Sequence, residues 1–337
     1  MDASIKSRLE TELGRLQKLA GTPRTVRDVQ VVPLDEWTVE LRPNRPTSPL
    51  PGGKTVGLTI LALVHGNEVG GAASLNEVLD FFITSGNSID FPIILGLGNP
   101  WAAREGVRFL ERDLNRSFAN QAVSSLEERR ARALEPYLAK SAFLIDVHQT
   151  TEISDRPFFI FPFEARGFGF ATGVAPFAST VTHWGDPFSA EGQCTDEFVN
   201  SKGGTGITLE LGQSGFDSYQ VAFGVQCMFA AVRQVAAVQC DATHLKVPLA
   251  GQYGGHIFTW AGVVPYPKGD TDLIPGWFNF KSVQQGELLG HCDGVEIRSP
   301  AAGHILFPKY RRPQDVKRPP TELCRIMREI QLIDLPA

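Results

Sequence analysis

The sequence predicts an α/β fold, with a large layered domain at residues 1–244 and a small, mostly β domain at residues 245–337. Three observations lead to this prediction. Short, almost wholly apolar segments alternate with amphipathic ones through most of the larger part, a pattern typical of strands and helices packed in layers. In the smaller part, β-prone segments are short and separated by Gly and Pro. A chain of 337 residues is long enough for one large domain and one smaller domain.

The helices are predicted from apolar side chains that recur every three or four residues and therefore share one helix face. Four segments have this spacing: residues 4–20, 70–82, 126–140 and 216–238. Ser125 and Glu128 have the spacing of a capping box at the start of the third helix.

The strands are predicted from two patterns. Residues 28–43 alternate between apolar and polar side chains, as half-buried strands do. Nearly continuous apolar runs, typical of strands covered on both faces, occupy residues 58–64, 91–97, 142–147 and 206–211. The segment Phe158–Phe161 is predicted to be a further core strand, or alternatively the lining of an apolar pocket for a ligand.

Composition excludes several classes of protein. The formal net charge is −5, and the only dense basic cluster is Lys309–Arg312, so nucleic-acid binding is not indicated. The charged N-terminus is unlike a signal peptide, and no uninterrupted apolar run has the length of a membrane span. The five cysteines are scattered and never form CxxC, which favours free thiols in a reducing compartment, the cytoplasm.

A candidate metal site follows the strand at residues 58–64. His65 and Glu68 lie at its carboxyl end, where ligands collect in open α/β sheets, and Gly66 allows a sharp turn between them. His148 follows another predicted strand. Two histidines and one carboxylate suit a catalytic zinc, which keeps one coordination position open. The alternative is an ordinary turn with a solvated glutamate.

Two carboxylates inside otherwise apolar strands also need an explanation. Asp146 and His148 are two residues apart and face the same way on a strand. A buried aspartate is costly unless paired, and the far nitrogen of a metal-bound histidine is a natural partner. Glu210 suits a general base and acid, although a buried salt bridge would also account for it.

The loop at residues 99–118 is rich in arginine, and guanidinium groups suit the recognition of carboxylates. A solvated basic loop is the alternative interpretation. Taken in order, the motifs HGNE, NPxAxxxGxRFxxxDLNRxF, DxH and TLELG resemble those of the succinylglutamate desuccinylase/aspartoacylase family. The resemblance covers residues 58–212, with a looser match in the β domain. It implies a three-layer, zinc-carboxypeptidase-like catalytic domain with a mixed central sheet.

The resemblance also implies a role for each site residue. His65, Glu68 and His148 look like the ligands of one Zn²⁺ per chain, and Glu210 looks like the catalytic glutamate. Arg108 would polarise the scissile carbonyl. The remaining implied roles are substrate-carboxylate binding by Asn115 and Arg116, and orientation of His65 by Asp146. The implied activity is hydrolysis of the amide bond of an N-acyl amino acid or a similar small molecule.

The sequence departs from the family pattern near the substrate. Aspartoacylases have an arginine ten residues before the catalytic glutamate, where this chain has Asn200. Lys202 and Arg156 are the nearby basic alternatives, and Tyr310 is a candidate to reach the site from the β domain. The QTTE segment after His148 also differs from the basic run of succinylglutamate desuccinylases.

Two rival functions remain at this stage. One is a zinc carboxypeptidase acting on peptides, because the Asn115–Arg116 pair would suit a C-terminal carboxylate equally well. The other is a non-catalytic metal-binding relative. The sequence leaves the substrate and the oligomeric state open, a homo-oligomer included.

Overall fold

The computed structural model describes residues 2–45, 47–85, 88–120, 123–185, 192–240, 245–248, 252–312 and 320–336. Within these ranges the chain forms α-helices and β-strands that alternate in its larger part. The helices are α1 Ala3–Ala20, α2 Gly70–Ser85, α3 Pro100–Glu105, α4 Leu126–Leu138, α5 Ala165–Val174, α6 Thr195–Ser201 and α7 Ser218–Cys240.

The first strands are β1 Arg24–Val26, β2 Val29–Asp35, β3 Thr38–Pro43, β4 Val56–Ala62, β5 Ile93–Leu97, β6 Ser141–Thr150, β7 Phe158–Pro162, β8 Ser179–His183 and β9 Thr205–Gln213. The later strands are β10 Ile257–Pro265, β11 Thr271–Leu273, β12 Ser282–Val283, β13 Leu288–Cys292, β14 Val295–Arg298, β15 Gly303–Leu306 and β16 Glu322–Ile330.

One mixed sheet organises the molecule. Its 13 strands run in the order β1-β2-β3-β5-β4-β6-β9-β7-β8-β10-β16-β15-β12. The neighbours β5, β4, β6 and β9 are parallel, whereas β7 is antiparallel to β9. The carboxyl ends of β4, β6 and β9 therefore meet at one edge of the sheet, where open α/β sheets bind their ligands.

Helices cover the centre of the sheet on both faces, which explains why β4 and β6 are buried at every position. Leu58 and Ile60 of β4 pack in the core with residues of α1, α2, α5 and α7. Leu61 points to the other face and packs with residues of α4 and α6. Alternation along one strand thus serves both layers. The three-layer arrangement with a mixed central sheet confirms the predicted fold class.

Most predicted elements are present with small shifts. The helix at residues 4–20 is α1, and the capping box of Ser125 and Glu128 is formed at the start of α4. Strand β6 runs on to Thr150, so His148 lies inside the strand and not after it. Phe158–Phe161 belongs to β7, and Phe158 packs edge-on against Phe280. The core-strand interpretation of this segment is therefore correct.

The C-terminal part continues the central sheet. Strand β10 pairs in parallel with β8, and β16, β15 and β12 extend the sheet beyond it. A separate antiparallel sheet, β11-β13-β14, lies within this part. Its β-rich character is as predicted, whereas the division of the chain at residues 244 and 245 stays a prediction. Residues 241–244 lie outside the described ranges.

Within the described ranges, one helix is long and apolar enough to cross a membrane by length and composition alone, namely α7 with a hydropathy of 1.6. It packs against α2, α5 and strands β4 and β9. Cys227, Met228 and Ala231 point from it into the main core. One face of α7 thus packs on the core, and 33% of its apolar window is buried.

Candidate metal and catalytic site

The turn after β4 is shaped by two unusual backbone positions. Leu63 has a positive φ of 59°, in the left-handed region that side chains other than glycine rarely adopt. At Gly66, a Cβ would lie 2.4 Å from the backbone carbon of Ala102. Glycine is therefore required here by the close approach of α3, and the expected reason, freedom to turn sharply, is secondary. This contact fixes the turn that carries His65 and Glu68.

His65, Glu68 and His148 form a buried cluster at the carboxyl ends of β4 and β6. The two histidine Nδ1 atoms lie 3.0 Å apart. Glu68 Oε1 is 2.9 Å from Nδ1 of His65, and Oε2 is 2.8 Å from Nδ1 of His148. One ligand atom from each residue lies within 4.8 Å of the other two, so a single ion can contact all three.

Carboxylates lie behind both histidines. Nε2 of His65 is 3.1 Å from Oδ1 of Asp113, and Nε2 of His148 is 2.9 Å from Oδ2 of Asp146. Such carboxylates hold the two imidazole rings in a fixed orientation behind the cluster. Two imidazole nitrogens and a carboxylate that converge within 4.8 Å inside a protein are the ligand types found in divalent metal sites. The donor set therefore fits a divalent metal ion.

The prediction that Asp146 contacts His65 is wrong. The resemblance implied that Asp146 orients His65, but the structure places it against His148, two residues along the same strand. The side chain that lies behind His65 is Asp113. The sequence analysis missed Asp113, although it stands in the DLNR motif that was singled out.

Electrostatics within the cluster are consistent with a site for a cation. Burial alone would raise the pKa of Glu68, but His65 and His148 beside it hold that pKa below its ordinary value. Burial would likewise lower the pKa of His148, yet Asp146 and Glu68 raise it well above its usual range. The backbone N–H of Gln149 also donates to Glu68, at 3.1 Å. These residues together stabilise positive charge at the centre of the cluster.

Arg108 lies beside the cluster. Its Nε donates to Asp113 at 3.1 Å, and its Nη1 donates to Glu68 at 3.3 Å. Nη2 lies 2.7 Å from Nε2 of His65. The side chain is 38% exposed, and its guanidinium contacts Asp113, Glu68 and His65.

Glu210 lies on β9, directly opposite His148 of β6 in the strand register. Its side chain is buried, and Oε2 has no hydrogen-bond partner among the residues that the structure describes. Burial, together with the negative charge of Glu68, raises the pKa of Glu210 to about 8. A buried carboxyl with a free oxygen and a raised pKa suits a group that takes up and releases a proton near neutral pH.

Asn115 and Arg116 lie on a short 3-10 helix, Leu114–Arg116, capped by Asp113. The amide oxygen Oδ1 of Asn115 accepts a hydrogen bond from the backbone N–H of Thr195, at 3.1 Å. Because a backbone N–H can only donate, the Nδ2 group of Asn115 faces away from Thr195. Arg116 donates to the carbonyl of Asn115 at 2.6 Å.

Asn200 and the two basic residues considered as substrate-binding alternatives make other contacts. Asn200 accepts from the backbone N–H of Gly206 at the start of β9, at 2.7 Å. Lys202 lies 5.2 Å over the ring of Phe198. Arg156 pairs with the adjacent Asp155. These contacts do not include the metal cluster.

Tyr310 is tied to its own part of the chain, since its hydroxyl accepts from the backbone N–H of Trp277 and also contacts the carbonyl oxygen of Ile274. Its neighbour Lys309 is a second residue that the sequence analysis missed. The charges of Arg108, Glu68 and Glu210 all act on the Lys309 ammonium, and burial is the main cause that lowers its pKa, to about 8. The basic cluster Lys309–Arg312 was a signal for it, although it was considered only for nucleic acid.

A mixed sheet lies between two layers of helices, and a cluster of two histidines and one carboxylate lies near its strand ends. These features define an α/β protein of carboxypeptidase-like fold. Residues 54–223, about half of the chain, match the family model of the succinylglutamate desuccinylase/aspartoacylase catalytic domain. The chain belongs to the succinylglutamate desuccinylase/aspartoacylase family.

Individual relatives agree with this assignment. The chain is 28% identical over 282 residues to the succinylglutamate desuccinylase of Serratia proteamaculans (strain 568), covering 77% of this chain and 82% of that protein. It is 30% identical over 139 residues to an N-acyl-aromatic-L-amino acid amidohydrolase (carboxylate-forming) of Xenopus tropicalis, covering 38% of this chain and 43% of that protein. This second match thus spans less than half of the relative.

A solved structure shows the same fold. The crystal structure of a succinylglutamate desuccinylase from Vibrio parahaemolyticus has a TM-score of 0.69 with this protein at 16% identity. The alignment covers 92% of this chain and 91% of that one. The similarity therefore extends beyond the matched family model into the C-terminal strands.

Proposed function

We propose that this protein is a zinc-dependent amidohydrolase that cleaves the amide bond of an N-acyl amino acid or a similar small amide bearing a carboxylate. The observation that carries the proposal is the position of Glu210, a buried carboxyl with a free oxygen, opposite the cluster of His65, Glu68 and His148. The names of the relatives support amide hydrolysis, because they describe a desuccinylase and an N-acyl amino acid amidohydrolase.

His65, Glu68 and His148 would hold the metal through two Nδ1 atoms and a carboxylate, a ligand set found in catalytic zinc sites. A zinc ion bound there supplies Lewis acidity, which polarises a carbonyl and lowers the pKa of water to about 7. Asp113 and Asp146 keep the two imidazoles in a fixed orientation.

The chain's own residues then divide the reaction between them. Glu210 takes a proton from the attacking water and passes it to the leaving nitrogen, so that the amide C–N bond breaks without releasing a free amide anion. Arg108 donates to the carbonyl oxygen as negative charge develops on it. Removing one donor of this kind typically lowers kcat by about 10²–10³.

The substrate's carboxylate would bind at Asn115 and Arg116. The amide of Asn115 is already oriented by Thr195, so its Nδ2 group is available to donate. We further place the enzyme in the cytoplasm, because its five cysteines are all free thiols.

The test is a comparison of metal-stripped protein with protein reconstituted with Zn²⁺. Amine release is measured from a panel of N-acyl amino acids and, in parallel, from short peptides. Hydrolysis of N-acyl amino acids that depends on added zinc supports the proposal. Faster cleavage of peptides would replace it with a carboxypeptidase function, and zinc binding without hydrolysis of either class would point to a metal-binding relative.

A further inference from the structure

Thr195 connects the two halves of the site. Its hydroxyl donates to Oδ2 of Asp146 at 2.5 Å, and its backbone N–H donates to Oδ1 of Asn115 at 3.1 Å. We propose that Thr195 is a positioning residue that fixes the metal ligand His148, through Asp146, relative to the carboxylate-binding Asn115. This inference rests on the proposed function, since it concerns how the same site holds a metal and a substrate.

The hydroxyl half of the argument concerns His148. Oδ2 of Asp146 accepts the Thr195 hydroxyl and also lies 2.9 Å from Nε2 of His148. Oδ1 of Asp146 has no hydrogen-bond partner among the described residues. Because Asp146 is fully buried, its carboxylate depends on these two contacts for its orientation. Without the hydroxyl, the carboxylate is free to rotate away from the imidazole.

The backbone half concerns Asn115. An asparagine amide can present either its oxygen or its nitrogen to a neighbour, and its hydrogen-bond partners decide which. The Thr195 N–H selects the oxygen, so the Nδ2 group is presented to the substrate side. A carboxylate needs a donor there, and the opposite orientation would present it with an amide oxygen.

Thr195 can serve both halves because it is held firmly. It is fully buried at the first position of α6. Phe198 and Val199 of that helix pack against apolar side chains of α4 and β6, on the face of the sheet opposite the main core. The start of β9 also approaches α6 closely, since a Cβ at Gly206 would lie 2.6 Å from Cα of Asp196. Core packing of α6 and its close contact with β9 therefore fix the position of Thr195.

Three substitutions separate the two contacts. Thr195→Ser keeps the hydroxyl and the N–H, and Thr195→Val removes the hydroxyl alone. Thr195→Pro removes both, and proline fits the first position of a helix because the N–H there makes no intrahelical bond. Melting temperatures of the three variants verify that each one folds.

Zinc affinity is measured by competition with a chromophoric chelator, and KM and kcat with an N-acyl amino acid at saturating zinc. We expect Thr195→Val to bind zinc about 10-fold or more weakly than Thr195→Ser, the range found for partners of metal ligands. We expect Thr195→Pro to raise KM several-fold above Thr195→Val.

Equal zinc affinity in the serine and valine variants would overturn the proposal, and equal KM in valine and proline variants would refute its Asn115 half. Zinc affinity needs no turnover. A wild type that hydrolyses nothing would therefore contradict the proposed function while the chelator measurement still decides the role of the hydroxyl.

Discussion

At the scale of single residues, Asp113 connects a metal ligand, a catalytic candidate and a substrate-binding candidate, a role that was not predicted from the sequence. Its Oδ1 lies near His65 and accepts from the backbone N–H of Asn115, while Oδ2 accepts from Arg108. Burial would raise its pKa, but Arg108 and His65 hold that pKa well below the ordinary value. Asp113 is therefore a carboxylate at neutral pH, and its charge balances the two groups beside it.

Asp113→Asn keeps the shape and removes the charge. We expect it to weaken zinc binding or lower kcat/KM by about 10–100-fold, as changes behind metal ligands do. Asp155→Asn is the control, because Asp155 is an exposed carboxylate paired with its neighbour Arg156. Chelator competition and amine release are measured on both. If the two variants behave alike, Asp113 has no special part in the site.

Lys309 provides a prediction about pH. Its ammonium experiences the charges of Glu210, Glu68 and Arg108, and its pKa is lowered to about 8. The side chain is positively charged below that pKa and neutral above it, so attraction for an anionic substrate is lost as the pH rises through about 8. We expect KM for an N-acyl amino acid to rise across this range.

Lys309→Arg is the matched variant, since a guanidinium stays charged throughout this range. It should therefore show a flatter KM profile between pH 7 and pH 9 than the wild type. Lys309→Met should have a raised KM already at pH 7. Parallel profiles in wild type and Lys309→Arg would show that Lys309 does not titrate against the substrate.

At the scale of elements, the close contact between the turn after β4 and helix α3 positions the metal ligands. We expect Gly66→Ala to lower the free energy of unfolding by at least about 1–3 kcal/mol, the usual cost of overpacking, because the added Cβ meets backbone atoms that cannot rotate aside. Zinc affinity should fall with it, since the displaced turn carries His65 and Glu68.

Gly14→Ala is the control for that substitution. Gly14 lies in the exposed part of α1, and a Cβ there meets nothing within 4 Å. Alanine should stabilise this helix by about 0.5–1 kcal/mol. Urea denaturation of both variants measures the difference. Equal stability of the two would mean that α3 yields easily and does not fix the turn.

Elements with a clear apolar pattern could be predicted from the sequence, whereas a short helix without one could not. Helices α1 and α7 repeat their apolar spacing over several turns, and β4 and β6 are continuous apolar runs. Helix α6 has only 7 residues, too few for a periodic pattern to be distinct. Its importance lies in tertiary contacts of Thr195, which leave no local signal.

At the scale of the whole molecule, the site draws on segments far apart in the chain. His65, Glu68, His148 and Glu210 were found because each lies in or just after an apolar strand, within a recognisable motif. Asp113 and Lys309 were missed because their contacts with the cluster arise only on folding, although one stands in the DLNR motif and the other in the basic cluster. The joining of β10 to β8 was equally hidden, because a β-rich composition does not state which strand is the neighbour.

This arrangement also explains why the C-terminal part matters to the site. Strands β10, β16 and β15 extend the central sheet. Lys309 lies two residues after Phe307, whose ring packs near Phe158 of β7. The last strands of the chain therefore bring the Lys309 ammonium toward the metal cluster, whose ligands come from the first half of the chain.

The most direct test of the central claim is amine release by Glu210→Gln, with zinc content measured on the same sample. Glu210 supplies the proton transfers and none of the proposed metal ligands. The account therefore predicts that the variant keeps as much zinc as wild type and loses about 10²–10⁴ in kcat. A zinc-loaded variant that hydrolyses N-acyl amino acids as fast as wild type would contradict the mechanism.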